Sequence, residues 1–423
     1  MRLADFEIAE PAPGFRVAVH PTRQFKTVSL VLYVHQPLTE GHTRRALLPF
    51  VLRRGCRGFV NMRKIVLFLE NLYGASMGVD VAKVGERHVL CFRFETVNDR
   101  FAPRRIRALE QALGFLWNLL ARPVTRGGGL HPDYVAQEKE NLRRLIEGMI
   151  NDRMTYAYER CIQEMCREEE YRRYEYGRLD EIDSVTPKAL AELHEQILAE
   201  APIELYVIGD VVPERVADLA EGTFRFRRRR VQAIPPTEIR AGTNGLREHV
   251  EKLDVEQGKL VLGCRTGMAW GHPDTFALVV YNGILGAFPH SKLFVQVRER
   301  EGLAYATHSS LDYTKGLLFM TAGIDPAKYT RAVEVIRRQM TDIAEGRIAD
   351  DEWEKTLATI ADRVRSREDH PSAKISAFME MSVNGHPMTA SQIIEGVQKV
   401  TRQDVVRVAA RVKPDTLFFL TRP

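Results

Sequence analysis

Cysteine is scarce in this chain, and what there is builds no framework. The five are Cys56, Cys91, Cys161, Cys166 and Cys264. Their number is odd and none has C-x-x-C spacing, which excludes a disulfide scaffold or a zinc ribbon as the organising device. Free, buried thiols in a reducing cytosol fit that usage. Long apolar runs are missing too, with nothing approaching the ~18 consecutive apolar residues of a membrane helix. The first ten residues carry early acids and no apolar centre, unlike a secretory leader. Neither sign of charge dominates: 61 basic against 56 acidic side chains leave a net +5, too little for a chain saturated with nucleic acid. These absences predict a soluble cytoplasmic protein with no membrane partner.

Several catalytic signatures are absent as well. Gly127-Gly-Gly129 has no Gly-Lys-Ser after it and no strand before it, so it implies no phosphate loop; it reads as a mobile connection between helices. His194-Glu195 lacks the second histidine of H-E-x-x-H, and no H-x-x-E-H occurs anywhere. An autonomous zinc peptidase needs two imidazoles on one helical face and a carboxylate base. The nearby pair His35 and His42 are seven apart, with Glu40 between them but not in zinc-motif spacing, and read as solvated turn histidines.

What is present is enough for two or more domains: 423 residues, 44% of them apolar, supply ordinary cores. Composition breaks once, over 213–248. That stretch holds Arg225-Phe-Arg-Arg-Arg-Arg230, Ile234-Pro-Pro236 and Ala241-Gly-Thr-Asn-Gly245. Turn formers and a basic run mark it as a linker between domains 1–212 and 249–423. The Arg227–Arg230 run could touch RNA, but only Phe224 and Phe226 interleave with it, so a solvated linker is favoured over nucleic acid.

The two halves read as diverged copies. Thr27–Val34 is a β-branched strand followed by a helix from about Thr43; Lys259–Cys264 precedes the helix Asp274–Leu285 in the same way. Glycine-punctuated strands follow, from Gly74 to Phe94 and from Gly302 to Ile324, each with a helix after it: Ala102–Leu120 and Pro326–Ile343. Glu138–Cys166 and Asp351–Val383 read as single long polar helices. Both halves end in a Thr-capped helix and a short apolar strand, Val185–Ile208 and Val400–Leu420. The repeat is far longer than the ~20–50-residue period of a solenoid, so it is a duplicated α+β domain.

The segment Phe288-Pro-His-Ser-Lys-Leu-Phe-Val-Gln-Val-Arg-Glu-Arg-Glu-Gly-Leu-Ala-Tyr305 is the most specific in the chain. Its spacing predicts a helix ending at Arg298, a tight turn at Gly302 and a strand opening at Tyr305. It resembles the R-x-x-x-G-L-x-Y signature in the second half of M16 (insulinase/pitrilysin/processing-peptidase-like) metallopeptidases. With Lys315-Gly-Leu-Leu-Phe-Met it most resembles the YmfF-like group, which lacks the zinc motif.

The resemblance implies a fold, α+β, of two homologous M16-type (LuxS/MPP-like) halves. Each would be a mostly antiparallel sheet with helices packed on one side, and the two would form a clamshell. Where the family has H-F-L-E-H, this chain has Ala46-Leu-Leu-Pro-Phe50. Ala46, Pro49 and Phe50 can neither hold zinc nor activate water. Glu138 stands where the family has its third ligand; read from the chain alone, Glu138 and Glu140 are helix-surface acids pairing with Lys139, Arg143 or Arg144. The implied function is therefore the non-catalytic subunit of a two-chain zinc peptidase. No cofactor belongs to this chain; zinc and the base would come from an M16 partner with an intact H-x-x-E-H. Arg298 and Tyr305 would act in trans on a peptide substrate, with Gly302, Leu303 and Ala304 as the substrate-binding stretch. The alternatives are a structural scaffold, an autonomous metallopeptidase and an RNA-binding accessory protein.

Overall fold

Strand-forming residues dominate the first hundred positions and build one sheet. The computed structural model describes residues 1–103, 106–226, 228 and 230–423. Its strands are β1 (Arg2–Leu3), β2 (Phe6–Ala12), β3 (Phe15–Pro21), β4 (Thr27–Pro37), β5 (Ser76–Val84) and β6 (Arg87–Val97), then the short β7 (Thr125–Arg126) and β8 (Gly129–Leu130), and β9 (Ile203–Gly209). The large sheet has the order β1-β2-β3-β9-β4-β6-β5. Val28, Leu30, Leu32 and Val34 on alternate positions of β4 join Phe92 and Phe94 of β6 and Leu205 and Val207 of β9 in one core. The helices His42–Arg53, Ala108–Ala121 and Pro187–Glu200 cover that face.

The second sheet is made of β10 (Arg247–Lys252), β11 (Gly258–Arg265), β12 (Ala304–Asp312), β13 (Leu317–Ile324) and β14 (Lys413–Thr421), in the order β10-β14-β11-β13-β12. Its wiring repeats that of β3-β9-β4-β6-β5 in the first sheet. In both, the last strand pairs parallel with the first and antiparallel with the second. The elements before those last strands match as well. Thr186 accepts from the Ala189 amide at 3.1 Å and Thr401 from the Asp404 amide at 3.2 Å, each opening a helix. The fold is the duplicated α+β architecture expected from the sequence.

The chain divides into two compact units: 1–147 with 173–236, and 148–172 with 237–423. The second unit thus includes a helix, Arg153–Met165, from the first half of the sequence. Cys161, Ile162 and Met165 of this helix pack with Val261, Phe319, Phe418 and Leu420. Phe419 points the other way, its ring 4.5 Å from that of Tyr329 in the helix Tyr329–Ala344. Both faces of the second sheet are therefore covered.

Several local expectations give way to longer-range physics. The single helix expected over Glu138–Cys166 is two, Pro132–Gly148 and Arg153–Met165. Asp152 breaks it by capping the amides of Met154 and Thr155 at 3.2 and 3.1 Å. Asp351–Val383 also divides, because Pro371 cannot continue a helix and instead starts one. Gly127-Gly128 is a two-residue hairpin turn between β7 and β8, with φ of 63° and 77° that only glycine adopts freely. The start of the expected linker, Pro213–Thr223, is a helix, with Val216 and Ala220 in the first core. Phe224 and Phe226 lie at that core too, their rings 5.6 and 5.1 Å from Trp117. Arg228 stacks 4.0 Å over Phe226 and donates to the Leu198 and Gly14 carbonyls at 3.0 Å each. The aromatics that would stack on bases are thus spent on packing; Arg227 and Arg229 lie outside the described residues.

Candidate functional site

In the first unit, the positions matching the zinc motif face the core. Ala46, Leu47 and Leu48 are at most 1% exposed, and Pro49 sits inside the helix His42–Arg53. Proline at that place removes one backbone donor from the helix ladder. Phe50 is half-buried, its ring stacked on Tyr176 at 6.5 Å and lying under the Arg53 guanidinium at 5.9 Å. These side chains offer a metal nothing, and the residues present do not fit zinc.

Glu138 corrects the expectation of a surface acid. It is 2% exposed and accepts a charge-assisted hydrogen bond from Arg54 Nε, with Arg53 3.9 Å away and Asn141 Nδ2 at 3.2 Å. A buried carboxylate needs a cation. Arg54 supplies that cation. Glu140 is the surface acid of the pair, bonded to Arg144 at 2.9 Å. The run Arg53-Arg54, directly after an apolar helical stretch, was the sequence signal for this pairing.

The two histidines are not solvated either. His35 lies inside β4, its Nε2 3.3 Å from Glu204 Oε2. His42 is 1% exposed, and burial pushes its imidazole down to about 4. Neither ring nitrogen of His42 has a hydrogen-bond partner among the described residues. All five cysteines are buried, and burial pushes the Cys56 and Cys91 thiols up to about 12, far from nucleophilic.

In the second unit the signature segment is arranged very differently. Leu293–Arg300 is a widened, π-type helix whose last turn closes with the Glu301 amide on the Gln296 carbonyl at 3.1 Å. Such winding is uncommon and is found mostly at functional positions. Gly302 then turns the chain with φ of 56°, and its carbonyl accepts from Lys328 Nζ at 3.0 Å. Leu303 donates its amide to the Val297 carbonyl at 2.9 Å.

Leu303 and Ala304 are buried at 6% and 7%. Their side chains face inward, so a substrate at the expected stretch Gly302, Leu303 and Ala304 would meet backbone, Ala304 being the first residue of β12.

Tyr305 lies on β12, an edge of the sheet. Ala304 pairs with Ile324 and Ala306 with Gly323, so Tyr305 is the extra residue of a β-bulge. It is 66% exposed. Arg298 is also exposed, its guanidinium 4.6 Å over the Phe294 ring. Neither Arg298 nor Tyr305 has a polar partner among the described residues. The outer backbone groups of β12 face no further strand, so an extended chain can add there.

Comparisons with known proteins agree with this picture. A family profile described as "Peptidase M16 inactive domain" matches residues 184–360. The chain is 32% identical over 415 residues to the probable inactive metalloprotease YmfF of Bacillus subtilis, covering 98% of this chain and 97% of that one. It is 30% identical over 173 residues to an uncharacterized zinc protease of Mycobacterium leprae, covering 40% and 38%. A conserved protein of Enterococcus faecalis superposes with a TM-score of 0.90 at 28% identity over 99% of both chains. A peptidase M16 inactive domain from Pseudomonas fluorescens superposes at 0.81 with 15% identity over 99% of this chain and 98% of that one, a likeness of fold alone.

Proposed function

The chain belongs to the peptidase M16 family as an inactive-type homologue, and from that premise we propose that it is the non-catalytic subunit of a two-chain zinc peptidase. The partner supplies the zinc, the water and the base. This chain supplies Arg298 and Tyr305, and the free edge of β12 on which a peptide lies as an added strand. The Tyr305 hydroxyl donates to the oxygen that gains charge when the scissile carbonyl is attacked. Arg298 holds the substrate backbone or orients the tyrosine. The observation that carries this reading is Tyr305 itself, 66% exposed in a bulge with no polar partner of its own. A bulge re-aims a side chain, and this one is aimed at nothing within its unit. The scarce, buried cysteines without C-x-x-C spacing suit a reducing compartment such as the cytoplasm.

The test is reconstitution with an M16 subunit that carries H-x-x-E-H, followed by peptide hydrolysis. Wild type is compared with Tyr305→Phe and Arg298→Ala, with complex formation measured separately. Activity confined to the pair, and lost in the variants while the complex persists, supports the assignment. Full activity in both variants leaves the scaffold reading in its place.

A further inference from the structure

The second unit contains a cavity of about 240 Å³ that the peptide site does not use. It lies among the helices Thr275–Asn282, Asp350–Arg367, Pro371–Val383 and Ala390–Gln398. That is far more than the ~10–15 Å³ one ordered water needs. Trp270, Phe288, Val364, Met381 and Ile393 give it a mostly apolar wall. The wall is set in place by its own contacts. Trp270 Nε1 donates to the His386 carbonyl at 2.7 Å, and its ring meets Tyr313 edge-on at 5.9 Å.

Most polar groups at the cavity are already committed. Arg363 donates to the Ala287 carbonyl at 3.3 Å and lies 4.4 Å over the Phe288 ring. Asn282 Oδ1 accepts from Ser309 at 2.7 Å, and Asn384 Nδ2 donates to the Glu380 carbonyl at 2.9 Å. Two charged groups are left at its mouth, the carboxyl of the exposed Glu380 and the guanidinium of the half-buried Arg367. Neither side chain has a hydrogen-bond or ion-pair partner among the described residues, including each other. An apolar cavity with a few convergent polar groups is the usual form of a small-molecule site.

We infer that this cavity binds a free α-amino acid with an apolar side chain, its ammonium on Glu380, its carboxylate on Arg367 and its side chain on the apolar wall. A simple amine would meet only Glu380 and a fatty acid only Arg367; a zwitterion meets both. The inference goes beyond the peptide-site reading and does not depend on it.

The state of Glu380 supports the ammonium. Glu380 is exposed to solvent at the cavity mouth, and partial desolvation by the wall there pushes its carboxyl up to about 7; the Asp312 carboxylate adds to this, and the Arg367 guanidinium opposes it. Arg363 also faces the cavity, and the Tyr313 hydroxyl, pushed up to about 12 by burial, stays neutral. An ammonium ion seated on Glu380 favours the ionised carboxylate, so binding near neutral pH releases a proton. Affinity therefore rises between pH 6 and 8.

The experiment is titration calorimetry of the whole chain with L-leucine, N-acetyl-L-leucine and L-leucinamide. L-Leucine is expected to bind, and blocking either end to weaken it at least tenfold. Glu380→Gln removes the preference for leucine over its N-acetyl form; Arg367→Gln removes the preference over the amide. Circular dichroism checks that both variants fold, and if one does not, the three ligands on wild type decide. No binding of leucine, equal binding of all three ligands, or unchanged preferences in both folded variants overturns the inference.

Discussion

The two units share one strand order and treat their inherited polar chemistry in opposite ways. In the first, the positions that match a zinc motif have turned inward: Ala46, Leu47 and Leu48 are core, and Glu138 is closed off by Arg54. In the second, Arg298, Tyr305, Arg367 and Glu380 stand without polar partners among the described residues. One strand order can thus carry two kinds of surface: the first unit closes a buried carboxylate with its own cation, and the second leaves polar groups open to solvent on a free edge and at a cavity mouth.

The strongest way to break this comparison is to remove the cation that closes the old site. Arg54→Met leaves Glu138 buried beside only the more distant Arg53, and is expected to cost about 3–5 kcal/mol in urea denaturation. Adding Glu138→Leu should return most of that loss, because an apolar pair of similar size replaces the ion pair. A small effect of Arg54→Met would mean that Arg53 or water already satisfies the carboxylate.

The next largest effect lies in the second unit and in activity rather than stability. Tyr305→Phe in the reconstituted pair is expected to lower kcat by roughly 10²–10³ through loss of one oxyanion donor. Its folding should change by no more than about 0.5 kcal/mol, since the hydroxyl bonds nothing in the chain. Equal losses of stability in both units would erase the contrast between them.

A smaller effect separates the two carboxylates. Glu138 is bonded to a cation, whereas Glu380 has no hydrogen-bonded or ion-paired cation among the described residues and feels Arg367 only from a distance. Because the Glu380 carboxyl is raised to about 7 in the folded chain from an ordinary 4.5, the native state holds the extra proton between those values. Stability then falls as pH rises through that window, and the cost is fully present above it. Glu380→Gln should therefore stabilise at pH 8 and change little at pH 4. The gain is on the order of 1 kcal/mol, reduced by the water that reaches this side chain. Thermal melts at the two pH values measure it.

The smallest expected change is at the turn. Gly302→Ala places a Cβ in a left-handed position, φ 56°, with no neighbour to clash, and should cost about 1 kcal/mol. A larger drop in activity than in stability would show that the turn positions Tyr305 rather than merely permitting it.

Much of this architecture was legible from local pattern. The β-branched run at Thr27–Val34, the glycine turn at Gly302 and the threonine caps at Thr186 and Thr401 each specify their own element. What local pattern did not carry was burial set by distant partners. Glu138 looks like any acid on a polar helix until Arg54, 84 residues earlier, is brought against it. His35 looks solvated until β9 delivers Glu204, and Phe226 looks like part of a basic linker until Trp117 receives it. The cavity was equally hidden, because Glu380 and Arg367 lie on separate helices with no motif in common.

The helix Arg153–Met165 has a consequence for how the chain comes to be folded. It is synthesised before the sheet that receives it, since β10 starts only at Arg247. Until β11, β13 and β14 have left the ribosome, Cys161, Ile162 and Met165 have no apolar surface to meet. The first unit can close while this segment waits as an uncommitted strip within it. A fragment ending at Pro236 would keep that strip permanently exposed and should aggregate, whereas one starting at Thr237 would leave Val261, Phe319 and Phe418 bare. Each unit is compact in space yet discontinuous in the gene, so neither can be expressed alone by a single cut.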